Sequence, residues 1–358
     1  MTARSRPGRR GEVLLSLGAV VVVVGLLASA ELAARAWSPL AGIRTSIDEL
    51  HTYSEVYGWE PRKGERFVFD RRTTTINPSG YRGPDLPREK GARTRVVVLG
   101  DSIGFGLEVG DDETFSHLLQ ASRDDVEVAN LAVQGYGPDQ ELIRLERMGL
   151  GLKPDVVVVA ACLSNDLADV VSDSFLYDSR HPKPFFLVEA NQLVKHDRQL
   201  ALSWRSRIAL FLAERSRLYQ LLAAPRGRGE GPRSVDEHWL RRRKLALKDD
   251  DTVVDLTARL WGRMAELSGG AGASFLVLAF PEDDSFESRS PWLDALAASP
   301  HLAGVTIVDM GERFRSKAFG FEDLMLDAVG HLSPAGHKVT AGIVEDVLSE
   351  NGLIPRRR

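Results

Sequence analysis

Residues Arg95–Gly106 read RVVVLGDSIGFG, and the fold turns on this stretch. Val96–Leu99 is a short, wholly apolar run that stops at Gly100-Asp101-Ser102. Such a run, bounded by a turn signal, predicts a strand buried on both faces. A serine at the carboxyl end of a buried strand stands where open α/β sheets bind their ligands. Gly100 permits a tight turn, and Gly104 and Gly106 let a second molecule approach the backbone. The residues after Ser102 open a helix, whose unpaired N–H groups can face a developing negative charge. The same residues also suit a plain helix start, since Asp and Ser both cap helices well. The rest of the chain decides between these readings.

Working outward, the strand pattern recurs. Val126–Asn130 is a second strand and Pro154–Ala161, rich in β-branched residues, a third. Helices are expected near Glu113–Gln120 and Gln140–Met148. Further on come a helix at Thr252–Leu267, a strand at Ser274–Phe280, a last strand at Val305–Met310 and a closing helix at Val339–Leu348. Apolar strands alternating with helices predict a parallel sheet covered on both faces. The expected fold class is α/β, a three-layer α/β/α sandwich of flavodoxin-like type spanning residues 95–350.

Composition narrows the function classes. The chain has 358 residues, 43% of them hydrophobic, which suffices for a large core. A net charge of −4 carries no basic footprint, so no nucleic-acid partner is expected. Cys162 is the one cysteine, so no intrachain disulfide can form. No Cys/His cluster has metal-site spacing, and neither a metal nor a cofactor is expected. Gly104-x-Gly106-x-x-x-Gly110 misses the dinucleotide fingerprint by one position.

The N-terminus reads as a membrane element. Arg4, Arg6, Arg9 and Arg10 (within residues 1–12) precede the uncharged run Val13–Ala30. As a helix that run is just long enough to cross a bilayer. The arginines predict a cytoplasmic start, with everything after residue 30 outside. A single-pass signal-anchor is the preferred reading; cleavage near Ala30, after an A-x-A pattern, is the alternative. Residues 31–94 read as a linker and lead-in, with Trp37 and Trp59 as anchoring candidates. Ile76–Gly83 within it is a turn-rich loop expected to pack on the following domain. Residues 167–250 interrupt the α/β rhythm with basic patches, a helix around Ile208–Leu222 and a Gly/Pro/Arg-rich break at Pro225–Arg233. This insertion is expected to shape substrate access. Residues 351–358 form a basic tail.

Three successive strands end in polar or glycine-bearing turns, at Ser102, Gly135 and Asn165. In a parallel sheet these share one edge. Asp327–His337 (DAVGHLSPAGH) leads into the last helix and brings a histidine and a carboxylate towards that edge. A serine hydroxyl needs a base within hydrogen-bond reach to act as nucleophile, and His331 is the candidate. A carboxylate, Asp327, would hold the imidazole in the right tautomer. The backbone N–H groups of Ser102 and Gly135 and the side-chain amide of Asn165 would form the oxyanion hole. His337 reads as structural, serving the start of the last helix.

These residues resemble the SGNH/GDSL hydrolases in four ordered blocks: Gly100-Asp101-Ser102, Asn130–Gly135, Ser164-Asn165-Asp166 and Asp327–His331. The likeness covers roughly 95–170 and 270–350. It implies an acyl-serine mechanism with Ser102 as nucleophile, His331 as base and no metal or cofactor. The anchor and Asn77…Gly80-Tyr81-Arg82-Gly83 are similar to membrane-tethered bacterial members, some of which act on acylated envelope polysaccharides. Two positions depart from the pattern. Leu163 replaces the usual glycine of the third block. Asp327 lies one residue earlier than the Asp-x-x-His spacing, whose aspartate position is Ala328, and Asp323 is a further substitute. Gly100-x-Ser102-x-Gly104 also matches the nucleophile elbow of α/β-hydrolases, but that elbow normally follows several strands. The expectation is an extracytoplasmic serine esterase acting on an acylated small molecule or polysaccharide, most simply an O-acetylated carbohydrate. An O-acyltransferase and a non-catalytic carbohydrate-binding domain remain open.

Overall fold

The computed structural model describes residues 9–37, 50–69, 71–87, 89–175, 178–223, 250–281, 286–287, 289–327 and 330–356. The chain divides into two compact units: Met1–Ile43 with Leu202–Gly231, and Arg44–Ala201 with Pro232–Arg358. The second unit holds residues 44–94 together with the sheet. The break at Pro225–Arg233 and the basic residues Arg4, Arg6 and Arg241–Arg243 lie outside the described residues.

In chain order the elements begin with α1 (Arg9–Trp37) and two antiparallel hairpins. These pair β1 (His51–Ser54) with β2 (Gly58–Pro61), and β3 (Arg66–Phe69) with β4 (Arg72–Thr75). There follow β5 (Thr94–Gly100), α2 (Ser102–Phe105), α3 (Phe115–Ser122), β6 (Val126–Asn130), α4 (Pro138–Arg144), β7 (Val156–Cys162) and α5 (Leu163–Asp169). Two more hairpins pair β8 (Ser174–Phe175) with β9 (Asp178–Pro182), and β10 (Phe185–Glu189) with β11 (Gln192–His196). Helices α6 (Trp204–Arg215) and α7 (Arg217–Ala223) come next. The last elements are α8 (Asp250–Gly270), β12 (Ser274–Phe280), α9 (Pro291–Ala297), β13 (Thr306–Asp309), α10 (Met310–Ser316), α11 (Phe321–Leu324) and α12 (Pro334–Glu350).

Five strands form one sheet in the order β13-β12-β7-β5-β6, every pair parallel. Strand alternation sends Val97, Leu99, Val157 and Val159 into one core, against Leu256, Leu260, Trp261 and Met264 of α8. Their neighbours Val96, Val98, Val156 and Val158 enter the other core, against Phe115 and Leu119 of α3 and Ile343, Val344 and Val347 of α12. Both sheet faces are therefore dry, and the α/β/α fold read from Val96–Leu99 is the one found. From β5 the chain steps outward to β6, then crosses back to β7 on β5's other side. The connections thus diverge between β5 and β7, which makes that crevice the sheet's switch point, where such folds bind ligands.

Several elements differ from their sequence reading. The helix expected over Gln140–Met148 runs as α4 over Pro138–Arg144, loosens into a π-turn at Leu145–Gly149, and ends in a tight turn at Leu150–Leu152. The helix expected over Ile208–Leu222 is two helices. Ser216 separates them, because its hydroxyl accepts the Tyr219 N–H (3.1 Å) and caps α7. The short strands β1–β4 arise in a stretch read as linker, since four-residue strands carry too little alternation to be seen. Trp59 is a core residue, 2% exposed, whereas Trp37 stands 89% exposed at the end of α1.

Candidate active site

Strand β5 ends at Gly100 with φ +145°. A Cβ there would lie 2.7 Å from the Ala160 carbonyl oxygen of β7, so only glycine fits. Asp101 then turns the chain: its Oδ1 accepts the Ile103 N–H at 2.8 Å and caps the short helix α2. Ser102 opens that helix and is 6% exposed. Of the two candidate caps in Asp101-Ser102, the structure uses Asp101.

The chain after α2 is held from an unexpected side. Arg82, in the loop Ile76–Gly83, is 4% exposed. Its guanidinium donates to the carbonyls of Phe105 (2.9 Å), Gly106 and Val109 (2.7 Å), and pairs with Asp111 at 3.1 Å. It also stacks over the Phe105 ring at 5.0 Å. Asn77 shapes the loop by accepting the N–H groups of Gly80 and Tyr81. Sequence reasoning placed Arg82 in the loop but gave it no role, because a buried arginine in a polar turn looks the same as a solvated one.

The histidine loop is a polar turn of its own. Asp327 Oδ1 accepts the N–H groups of Gly330 (3.1 Å) and His331 (3.2 Å). Gly330 has φ +96°, so the chain doubles back there. Asp327 Oδ2 lies 2.7 Å from His331 Nδ1, and His331 Nε2 lies 3.0 Å from Ser102 Oγ. Ala328 and Val329 lie outside the described residues. The Leu326 N–H donates to the His331 carbonyl (2.7 Å) and the Ser333 N–H to the Leu324 carbonyl (2.7 Å), which fixes both ends of the loop. Asp323 is engaged elsewhere: its Oδ2 accepts the Gly320 N–H and caps α11.

The electrostatics follow from these contacts. Burial alone would lower the His331 pKa, but the Asp327 hydrogen bond and charge, with Asp101 and Glu108 beyond, outweigh it and the net shift is upward. Burial raises Asp327, yet its bonds to the His331 ring and to the loop N–H groups bring it below the usual carboxylate range. Asp101 is pushed up by burial, against the bonds it accepts. Behind it, Glu141 and Asp166 are fully buried, and desolvation together with neighbouring carboxyls drives both well up.

Asn165 lies on α5, beyond the end of β7, and its Nδ2 donates to Asp101 Oδ2 at 3.2 Å. An amide has two such donors, so Asp101 orients the group while taking one. Leu163 is 2% exposed and packs in the core. Gly135 follows β6 with φ +75°, and a Cβ on it would lie 2.4 Å from the Phe175 ring. Trp59 meets Phe175 edge-on at 5.5 Å and donates from Nε1 to the Gln134 carbonyl at 3.0 Å. Phe175 comes from β8, inside the insertion, which is pinned by a buried Lys183–Asp139 ion pair. The sequence reading gave the insertion but neither Phe175 nor Lys183.

Glu108, at φ +67°, also reaches this corner: atoms of Glu108, Asp327 and His331 all lie within 4.8 Å of one another. The ring nitrogens a cation would take are already bonded to Asp327 and Ser102. His337, six residues beyond His331, has different partners. Its Nδ1 accepts the Phe115 N–H (3.2 Å) and its ring stacks on Phe115 at 5.9 Å. Burial first, then the Arg82 charge, lower its pKa to about 3.

No family model matches the chain. No curated protein matches it either. Among solved structures it is similar to a putative lipolytic protein of the G-D-S-L family from Desulfitobacterium hafniense DCB-2 (12% identity; 72% of this chain and 100% of that one; TM-score 0.37). It is likewise similar to the lipase/acylhydrolase from Enterococcus faecalis (14% identity; 74% and 99%; TM-score 0.40). A third is LAE5, titled an alpha/beta hydrolase enzyme from the metagenome of Lake Arreo, Spain (16% identity; 75% and 99%; TM-score 0.42).

Proposed function

We propose that this chain is a serine esterase that cleaves acyl esters through an acyl-serine intermediate. The observation that carries the reading is the unbroken chain Ser102 Oγ–His331 Nε2 (3.0 Å) and His331 Nδ1–Asp327 Oδ2 (2.7 Å). Ser102 Oγ attacks the ester carbonyl while His331 Nε2 takes its proton. The oxyanion forms against the N–H groups of Ser102 and Gly135 and the Asn165 amide. His331 then protonates the departing alcohol, and a water activated by the same ring hydrolyses the acyl-serine. Asp327 holds the ring with Nδ1–H towards it and steadies the imidazolium.

A small acyl group is the proposed substrate, an O-acetyl on a carbohydrate. Phe175 against Gly135 supports it, since the ring packs where a Cβ on Gly135 would fall, beside a proposed oxyanion donor. Helix α1 is proposed as an uncleaved anchor with the sheet-bearing unit outside. Its support is the uncharged run Val13–Ala30 in a helix long and apolar enough to cross a bilayer, unbroken across Ala28–Ala30.

The test is p-nitrophenyl acetate hydrolysis by the full chain in detergent, beside Ser102→Ala and His331→Ala. Activity lost in both variants is expected; equal activity in all three proteins would overturn the assignment. Loss of turnover with retained Ser102-dependent acylation would move the reading to acyl transfer. In the same assay Phe175→Ala is expected to raise hexanoate cleavage relative to acetate by about tenfold, the low end of what one buried methylene is worth in a pocket. An unchanged chain-length profile would remove Phe175 from the acyl site.

A further inference from the structure

The unit that contains α1 carries a feature the esterase reading does not use. The far end of α1 binds the corner between α6 and α7 through both helix termini. Arg35 donates to the Arg215 carbonyl at 2.9 Å, at the carboxyl end of α6. Glu31 accepts the Arg217 N–H (2.9 Å), the Leu218 N–H (3.0 Å) and the Ser216 hydroxyl (2.8 Å), at the start of α7. A cation thus meets exposed carbonyls, an anion meets exposed N–H groups, and Arg35 and Glu31 pair with each other at 2.7 Å.

The helices fixed there present an apolar face to the outside. Trp204, Ile208 and Phe211 share one side of α6 by their spacing and are 67%, 52% and 57% exposed. Leu221 and Leu222 of α7 are exposed as well. Arginines flank the face: Arg205 lies over the Trp204 ring at 5.3 Å and Arg215 over the Phe211 ring at 5.4 Å. Residues 204–223 contain four arginines and one acidic residue. Apolar and aromatic side chains with flanking arginines are the composition of helices that lie in a membrane interface.

Position along α1 names the occupant. From Val13 to Glu31 the helix rises about 27 Å, close to the thickness of a bilayer's hydrocarbon core. Its outward apolar side chains, from Val13 to Leu32, are exposed throughout that span. The α6–α7 corner therefore sits at the level where α1 would leave the lipid. We propose that α6 and α7 lie flat on the outer leaflet, with Trp204, Ile208, Phe211 and Leu222 among the upper acyl chains and the arginines on anionic headgroups. This rests on α1 being a membrane anchor and is independent of the esterase chemistry.

The test uses the full chain in vesicles of phosphatidylcholine and phosphatidylglycerol, with Cys162→Ala as background. An environment-sensitive fluorophore is placed at Phe211→Cys, at Leu222→Cys and, as a reference, at Leu187→Cys, an exposed position on β10. The expected result is a blue shift at 211 and 222, quenched by lipids brominated high on the acyl chain, with water-like emission at 187. Water-like emission at all three positions overturns the proposal. A blue shift that brominated lipid does not quench also overturns it, and assigns the face to a second copy of the chain. Alkaline carbonate extraction of the same vesicles separates the two layers of the argument. Release of the chain would sink the anchor and the interfacial helices together, whereas retention with water-like probes would sink the helices alone.

Discussion

His331 and His337 stand six residues apart, on the loop before α12 and in its first turn, and the protein treats them oppositely. Both are largely buried. His331 faces a carboxylate on Nδ1 and a hydroxyl on Nε2. His337 faces a backbone donor on Nδ1 and the charge of Arg82 at longer range. An anion beside the ring favours the imidazolium; a donor and a nearby cation forbid it. The first is raised above its usual value and the second is held neutral down to about pH 3. Burial does not distinguish the proposed catalytic histidine from the core one here; the charge of its partner does.

The largest test makes the first site resemble the second. Asp327→Asn removes the anion and is expected to lower kcat on p-nitrophenyl acetate by about 10⁴-fold, as the imidazole loses its tautomer control. The base must be unprotonated to act, so activity falls with acid, and the acid limb of the kcat/KM profile should move to lower pH. A profile that stays in place would mean that Asp327 does not set the His331 pKa.

The converse test is on stability. His337→Leu leaves the Phe115 N–H unpaired and should cost about 1–3 kcal/mol in urea unfolding, with the pH profile of activity unmoved. The sign of the pH effect is also fixed. Because the folded pKa of His337 lies below its unfolded value, its contribution is complete above about pH 6.5 and is lost as pH falls towards about 3. The wild type should therefore lose more stability than the variant between pH 7 and pH 4. For His331, with its folded pKa raised, the sign reverses: its contribution is present in acid and is lost as pH rises through the folded pKa. The smallest effect is expected from Glu108→Gln. Loss of this more distant charge should move the acid limb down by less than about one unit and leave the alkaline plateau of kcat as it was.

Much of this was legible in the chain, for identifiable reasons. Val96–Leu99 and Val156–Ala161 read as strands because a strand buried on both faces needs an unbroken apolar run. The turns at Ser102, Gly135 and Asn165 read as one edge because a parallel sheet aligns its carboxyl ends. The four-residue spacing of Asp327 and His331 looked wrong against the Asp-x-x-His pattern. The distance between them closes because Gly330 takes a left-handed conformation and Asp327 accepts two backbone N–H groups. The roles of Arg82, Phe175 and Lys183 were invisible for the opposite reason. Each acts across a long stretch of chain, on a carbonyl, a glycine or a buried aspartate, and no local periodicity records such a contact.

The bond between Ser102 and His331 joins residues 229 positions apart. Little else near the reacting atoms is so remote in sequence, and closing so long a loop is slow and late in folding. While the chain is being made, Ser102, the proposed nucleophile, therefore stands without its proposed base until the loop before α12 docks. Residual esterase activity during denaturation should then report the docking of that last segment, and should vanish no later than the global fold.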